Sequence, residues 1–188
     1  MIKIYLFSND IVKKSICLPE NILSHIKKYK YDKDTYDCSY SAYCLLNKIG
    51  IDVLFDQNDV PYSLFSKFSI SHSKNYVCVA VADKDIGVDI ELIRPFNENL
   101  CKKVMNESEM NVFKRIKDKN KYFFEVWTKK EAYVKRKRVG LISFPKDIAV
   151  EGEIRSEEIS GIMISISSST KDTINYYLDE EVSSLFSK

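Results

Sequence analysis

Asp89 and Glu91 stand inside an apolar, β-branched run, Ile86-Gly87-Val88-Asp89-Ile90-Glu91-Leu92. On a strand the alternation sends both carboxylates to one face. A half-buried face cannot hold two unpaired charges cheaply, so the fold must bring them a partner. The chain offers one about forty residues on, in Trp127-Thr128-Lys129-Lys130-Glu131-Ala132-Tyr133-Val134-Lys135. On a helix Glu131 and Lys135 share a face one turn apart. A strand with two carboxylates beside a helix with a third makes an all-oxygen pocket. Hard cations such as Mg²⁺, or Mn²⁺, suit it, with substrate phosphates completing the shell. Lys135 would then meet phosphate charge. Asp89, Glu91 and Glu131 are the candidate metal ligands.

Composition narrows the class. The chain has 188 residues, 45% of them hydrophobic and 30% charged, enough for one large domain or two small lobes. A net charge of +2 is too small to argue for nucleic acid. Five cysteines, Cys17, Cys38, Cys44, Cys78 and Cys101, form no Cys-x-x-Cys pair. Their odd number fits reduced thiols better than a disulfide framework or a zinc site. Residues 1–7 read as a strand, not as a leader, and no apolar stretch is long enough to span a membrane. A cytoplasmic protein with no membrane partner is expected.

Strands are expected at 2–7, 51–55, 68–72, 76–82 and 86–92, with 83–85 turning a hairpin between the last two. Helices are expected at 19–29, at 32–49 up to Gly50, from Asn106 or Ser108 to about 117, and from 120 to about 138. A short strand at 146–150 and a closing β pair at 162–167 and 173–178 complete the pattern. The order is compatible with two α+β lobes, divided here as 1–85 and 86–188. His25 reads as a surface residue of the first helix, and Trp127 as core packing that sets Glu131.

The two acidic patterns together resemble the signature of the 4′-phosphopantetheinyl transferase superfamily. The resemblance extends upstream to Phe68-Ser69-Ile70-Ser71-His72-Ser73 and downstream to Gly140-Leu141, and covers roughly residues 67–148. It implies the family's α+β fold, with two similar lobes in a pseudo-twofold arrangement. It implies coenzyme A as donor, bound in part by the first lobe, and an apo acyl or peptidyl carrier protein as acceptor. By the same resemblance His72 contacts a coenzyme A phosphate, and Ser71 flanks it with a hydroxyl; after Lys135, Lys130 is the next candidate for contact with the phosphates of coenzyme A. Glu109 lies where family members carry an acid near the metal, a candidate base or supporting group beside Glu131. Without the resemblance, Glu109 reads simply as a first-turn acid at a helix N-terminus.

Two departures stand out. Val60 and Cys38 occupy positions at or near which family members carry cations for the nucleotide end; Lys28, among Lys27, Lys28 and Lys30, is the expected replacement. The run Lys135-Arg136-Lys137-Arg138 is either a solvated helix end or, beyond Lys135, a surface for an acidic partner. The expected activity is that of a monomeric, Mg²⁺-dependent holo-[acyl-carrier-protein] synthase of the broad-specificity type. The rival reading is a lapsed member that binds carrier protein or coenzyme A without turnover. A second rival, an unrelated Mg²⁺-dependent phosphatase or nuclease, lacks support, since the chain shows no Gly-rich phosphate loop, no second acidic cluster and no strong basic groove.

Overall fold

The structure, a computed structural model, describes residues 1–12, 16–138 and 145–187. The chain is α+β and divides into two compact units, Met1–Lys84 with Asp172–Lys188, and Asp85–Lys171.

In the first unit β1 (Ile2–Ser8) is a near-continuous apolar strand, as a central strand must be. It is followed by α1 (Glu20–Ile26), α2 (Lys33–Lys48), the short β2 (Leu54–Phe55) and β3 (Pro61–Tyr62), then β4 (Lys67–Ser73) and β5 (Tyr76–Ala82). Asp32 caps α2 by accepting from the Thr35 N–H. Cys38, Ala42, Leu45 and Leu46 of α2 share one core with Tyr5, Phe7, Val77 and Val79.

The second unit begins with β6 (Ile86–Leu92) and continues through α3 (Cys101–Val104), α4 (Glu107–Phe113) and α5 (Lys119–Lys137) to β7 (Glu153–Ile159) and β8 (Ile162–Ser168). Its sheet runs β6-β8-β7, antiparallel throughout. Asp118 caps α5 from the Lys121 N–H, and Arg138 ends it with a φ of 53°. Helix α5 packs along β6 and β8. Phe96 stacks on Phe123 at 3.8 Å, and Trp127 leans on Phe123 at 6.0 Å, which makes Trp127 core packing as expected.

The chain returns to the first unit with β9 (Ile174–Tyr177) and α6 (Asp179–Phe186). The first sheet is therefore ordered β4-β5-β1-β9, with β9 parallel to β1.

Four expectations are corrected. Strands β5 and β6 form no hairpin: β6 belongs to the other sheet and pairs with β8. Residues 162–168 and 174–177 do not close on each other, since β9 joins β1. The division at 85/86 therefore misplaces the C-terminal segment. Residues 146–150 are not a strand; Pro145–Asp147 is a 3₁₀ turn. The sequence reading also missed β7, the edge strand.

Candidate functional site

Gly87 sets the site. A Cβ there would lie 1.9 Å from the Ala132 carbonyl oxygen and 2.6 Å from the Arg136 backbone nitrogen. The backbone of α5 thus rests directly on the start of β6, an approach only glycine permits. Glu131 and Lys135 flank that contact. Gly87, Asp89 and Glu91 pair with Ser167, Ser165 and Met163 of β8, so all six project from the same face of the sheet.

Asp89 is buried, and its Oδ1 accepts from Lys135 Nζ at 2.7 Å. Glu91 Oε2 accepts from Arg94 Nη1 at 3.0 Å, with that guanidinium lying 5.1 Å from the Phe124 ring centre. Burial pushes the Glu131 carboxyl above the usual carboxylate range. Asp89 pushes it the same way, Lys135 opposes, and Glu91 adds to the rise. The three acids therefore share one field, as their spacing in sequence predicts. They do not close into a coordination sphere: among the described residues no three His, Cys, Asp or Glu side chains converge enough to hold a metal ion. Lys135 draws Asp89 and Arg94 draws Glu91. The donor set nonetheless fits a hard divalent cation, being all carboxylate oxygen with mutual repulsion left partly uncompensated at Glu131.

Lys130 does not fit the cofactor role expected of it. It is 1% exposed. Its three protons go to the Val104 carbonyl at 2.7 Å, Glu109 Oε2 at 2.7 Å and the Lys146 carbonyl at 3.2 Å. Glu109 Oε2 also accepts from the Asn106 N–H at 2.8 Å, while Asn106 Oδ1 accepts from the Glu109 N–H, a complete capping box. Lys130 and Glu109 thus tie α4 to α5 next to Glu131. Replacing Lys130 with Met removes the counter-ion of Glu109 and the donor to two carbonyls; a loss of about 3 kcal/mol is expected in denaturant unfolding. A loss below about 1 kcal/mol would show that α4 does not depend on the pair.

Arg136 is also committed internally. Its guanidinium donates to the Ser168 carbonyl and, at 2.6 Å, to the Glu151 carbonyl. It closes α5 onto the end of β8, so Arg136 is a structural clamp rather than part of a solvated helix end or a partner surface. Gly140-Leu141 lies outside the described residues.

In the first unit, β4 alternation exposes His72 and buries Ser71 and Ser73, so the hydroxyl of Ser71 faces away from His72. The expected joint role of Ser71 and His72 side chains is thereby corrected. Lys28 Nζ donates to Asp59 Oδ2, which also meets His25 Nδ1 at 2.9 Å. His25 is buried rather than on the surface, stacked on Phe55 at 4.3 Å. Burial lowers its proton affinity, and Asp59 offsets this only in part. Cys38 faces the core, where burial pushes its thiol up to about 11.

Residues 85–175 match the family model described as 4′-phosphopantetheinyl transferase superfamily. The chain is 35% identical over 83 residues to the 4′-phosphopantetheinyl transferase Sfp of Bacillus subtilis (strain 168), covering 43% of this chain and 36% of that protein. It is 33% identical over 97 residues to 4′-phosphopantetheinyl transferase gsp of Aneurinibacillus migulanus (48% and 40%). It is 38% identical over 73 residues to 4′-phosphopantetheinyl transferase HetI of Nostoc sp. (strain PCC 7120 / SAG 25.82 / UTEX 2576), covering 36% and 31%. The family match takes in the second unit, Asp85–Lys171, and the carboxylates described above. The matches span 31% to 40% of these relatives' own length. Among the described residues no helix is long and apolar enough to cross a membrane.

Proposed function

We propose that this protein transfers the 4′-phosphopantetheine arm of coenzyme A to a serine of an apo acyl or peptidyl carrier protein, releasing 3′,5′-ADP, as a cytoplasmic monomer. The observation that carries the reading is the contact of α5 on Gly87, which puts Glu131 and Lys135 against Asp89. Asp89, Glu91 and Glu131 would hold Mg²⁺, and Mn²⁺ fits the same donors. The ion supplies neutralisation of pyrophosphate charge.

The chain's own side chains do the rest. Lys135, paired with Asp89 here, is released to the phosphoryl oxygens and stabilises the charge they gain. The serine proton leaves its Oγ for the Glu131 carboxylate, directly or through water. Glu109, already accepting from Lys130 and the Asn106 N–H, is the supporting group. His72 and Lys28 belong to the binding of coenzyme A, and Lys28 must then leave Asp59. Because Val60 and Cys38 supply no cation, coenzyme A affinity is expected to be weak and salt-sensitive. Val60→Lys should tighten it in calorimetry without altering carrier affinity; no change would mean that the nucleotide end is held elsewhere.

The test is chromatographic. With coenzyme A, Mg²⁺ and an apo carrier protein, 3′,5′-ADP should accumulate, and excess chelator should stop it. Undiminished release in chelator would remove the metal from the reading.

A further inference from the structure

Pressing a helix onto a sheet at one glycine fixes their separation. It leaves the helix free to slide and roll, and apolar contacts resist neither strongly because they are non-directional. Hydrogen bonds resist both. Lys135 and Arg136 make such bonds to the sheet beyond Glu131, and helix α5 makes a further set against β8 just before it. Thr128 Oγ1 donates to the Phe124 carbonyl at 2.8 Å and lies 2.7 Å from Ser165 Oγ. Ser165 Oγ lies 2.7 Å from Ser156 Oγ. Each hydroxyl has one proton. Thr128 spends its proton on Phe124, so Ser165 donates to Thr128, and Ser156 donates to Ser165. The chain is directed, from β7 through β8 into α5.

Its place in the fold matters as much as its direction. Ser165 is the register partner of Asp89, and Ser156 is the register partner of Ser165. The three side chains form one row across the sheet, with Asp89 at its end. Thr128 and Ser165 are both 0% exposed, as is Ala132, the residue over Gly87. Thr128 and Ala132 are one turn apart on the face of α5 that meets the sheet. Glu131 sits between these two fixed points.

We propose that Thr128 and Ser165 are positioning residues for the carboxylate site: the hydroxyl chain holds α5 in the register that lets Glu131 share a divalent cation with Asp89 and Glu91. This rests on the metal reading given above. Neither side chain touches the reacting atoms; both act through Glu131. A buried hydroxyl pair could instead merely satisfy its own polar atoms, and that reading predicts a loss of stability with no change in ion binding.

Mn²⁺ binding followed by electron paramagnetic resonance, without coenzyme A or carrier, separates the two. Thr128→Val keeps the shape and removes the acceptor. It should weaken Mn²⁺ binding by about 10-fold or more, the scale for groups that orient metal ligands. Thr128→Ser restores the hydroxyl and should bind within about 2-fold of the parent, well short of that loss. Ser165→Ala, which leaves the Thr128–Phe124 bond in place, should match Thr128→Val, and the double variant should be no worse than either single. Parent-like Mn²⁺ affinity in Thr128→Val, or in Ser165→Ala should the first variant not fold, overturns the positioning role whatever the melting temperature. Failure of the parent itself to bind Mn²⁺ is a different result and overturns the metal reading together with this inference.

Discussion

Glu131→Gln is expected to lower transfer by on the order of 10²-fold or more, the scale for losing one preorganised electrostatic group. The same variant is expected to be more heat-stable than the parent at neutral pH when metal is chelated. Both results have one origin. Glu131 is half-buried and faces the charges of Asp89 and Glu91, which raises its carboxyl above the ordinary value of 4.5. A carboxyl raised in the fold leaves stability intact below 4.5 and erodes it as pH climbs through the raised value. Glutamine removes the charge that burial and the neighbouring carboxylates disfavour. Melting in excess chelator at pH 7 and near pH 4 checks the sign: the advantage of Gln should shrink at the lower pH. A glutamine variant less stable than the parent at pH 7 would show that Glu131 is not strained by its neighbours.

Gly87→Ala is expected to destabilise the fold by about 3 kcal/mol, the upper range for forced overpacking, and to abolish transfer. The added carbon meets backbone of α5 at 1.9 Å and 2.6 Å, so no side chain can swing aside to admit it. Helix α5 must lift, carrying Glu131 and Lys135 from Asp89. Gly50 is the matched control. A Cβ there meets nothing within 4 Å, and its φ of 77° makes alanine cost only on the order of 1 kcal/mol through backbone strain. Denaturant midpoints for the two variants compare the effects directly. If Gly87→Ala unfolds like Gly50→Ala and retains transfer, the glycine is not what seats the helix.

Much of this site could be read in the sequence because its parts are periodic. Alternation put Asp89 and Glu91 on one face, and a four-residue step put Glu131 above Lys135. Gly87 was visible as a residue, but its reason is a helix forty-odd residues later, which no local pattern contains. The pairing of β9 with β1 was hidden in the same way, since parallel partners are joined only through distant chain. Strand β7 was missed because Arg155, Glu157 and Glu158 make an edge strand look like a solvated loop. Ser160-Gly161, with φ of 52° and 79°, was the turn signal that could have found it. Lys130 had a signal too. Phe123, Val126 and Val134 are buried and share its helical stripe, so a lysine among them needed internal partners. His25 lies next to Ile22 and Ile26 on α1 and is buried with them by the same logic.

The central claim is that this chain loads carrier proteins, and the most direct measurement is the intact mass of the carrier. A panel of apo acyl and peptidyl carrier proteins is incubated with the protein, coenzyme A and Mg²⁺. At least one carrier should gain the mass of a single phosphopantetheine arm, and the gain should vanish with Glu131→Gln and when the acceptor serine is replaced by alanine. Unmodified carriers across the whole panel, from a protein shown by calorimetry to bind both coenzyme A and carrier, would contradict the account.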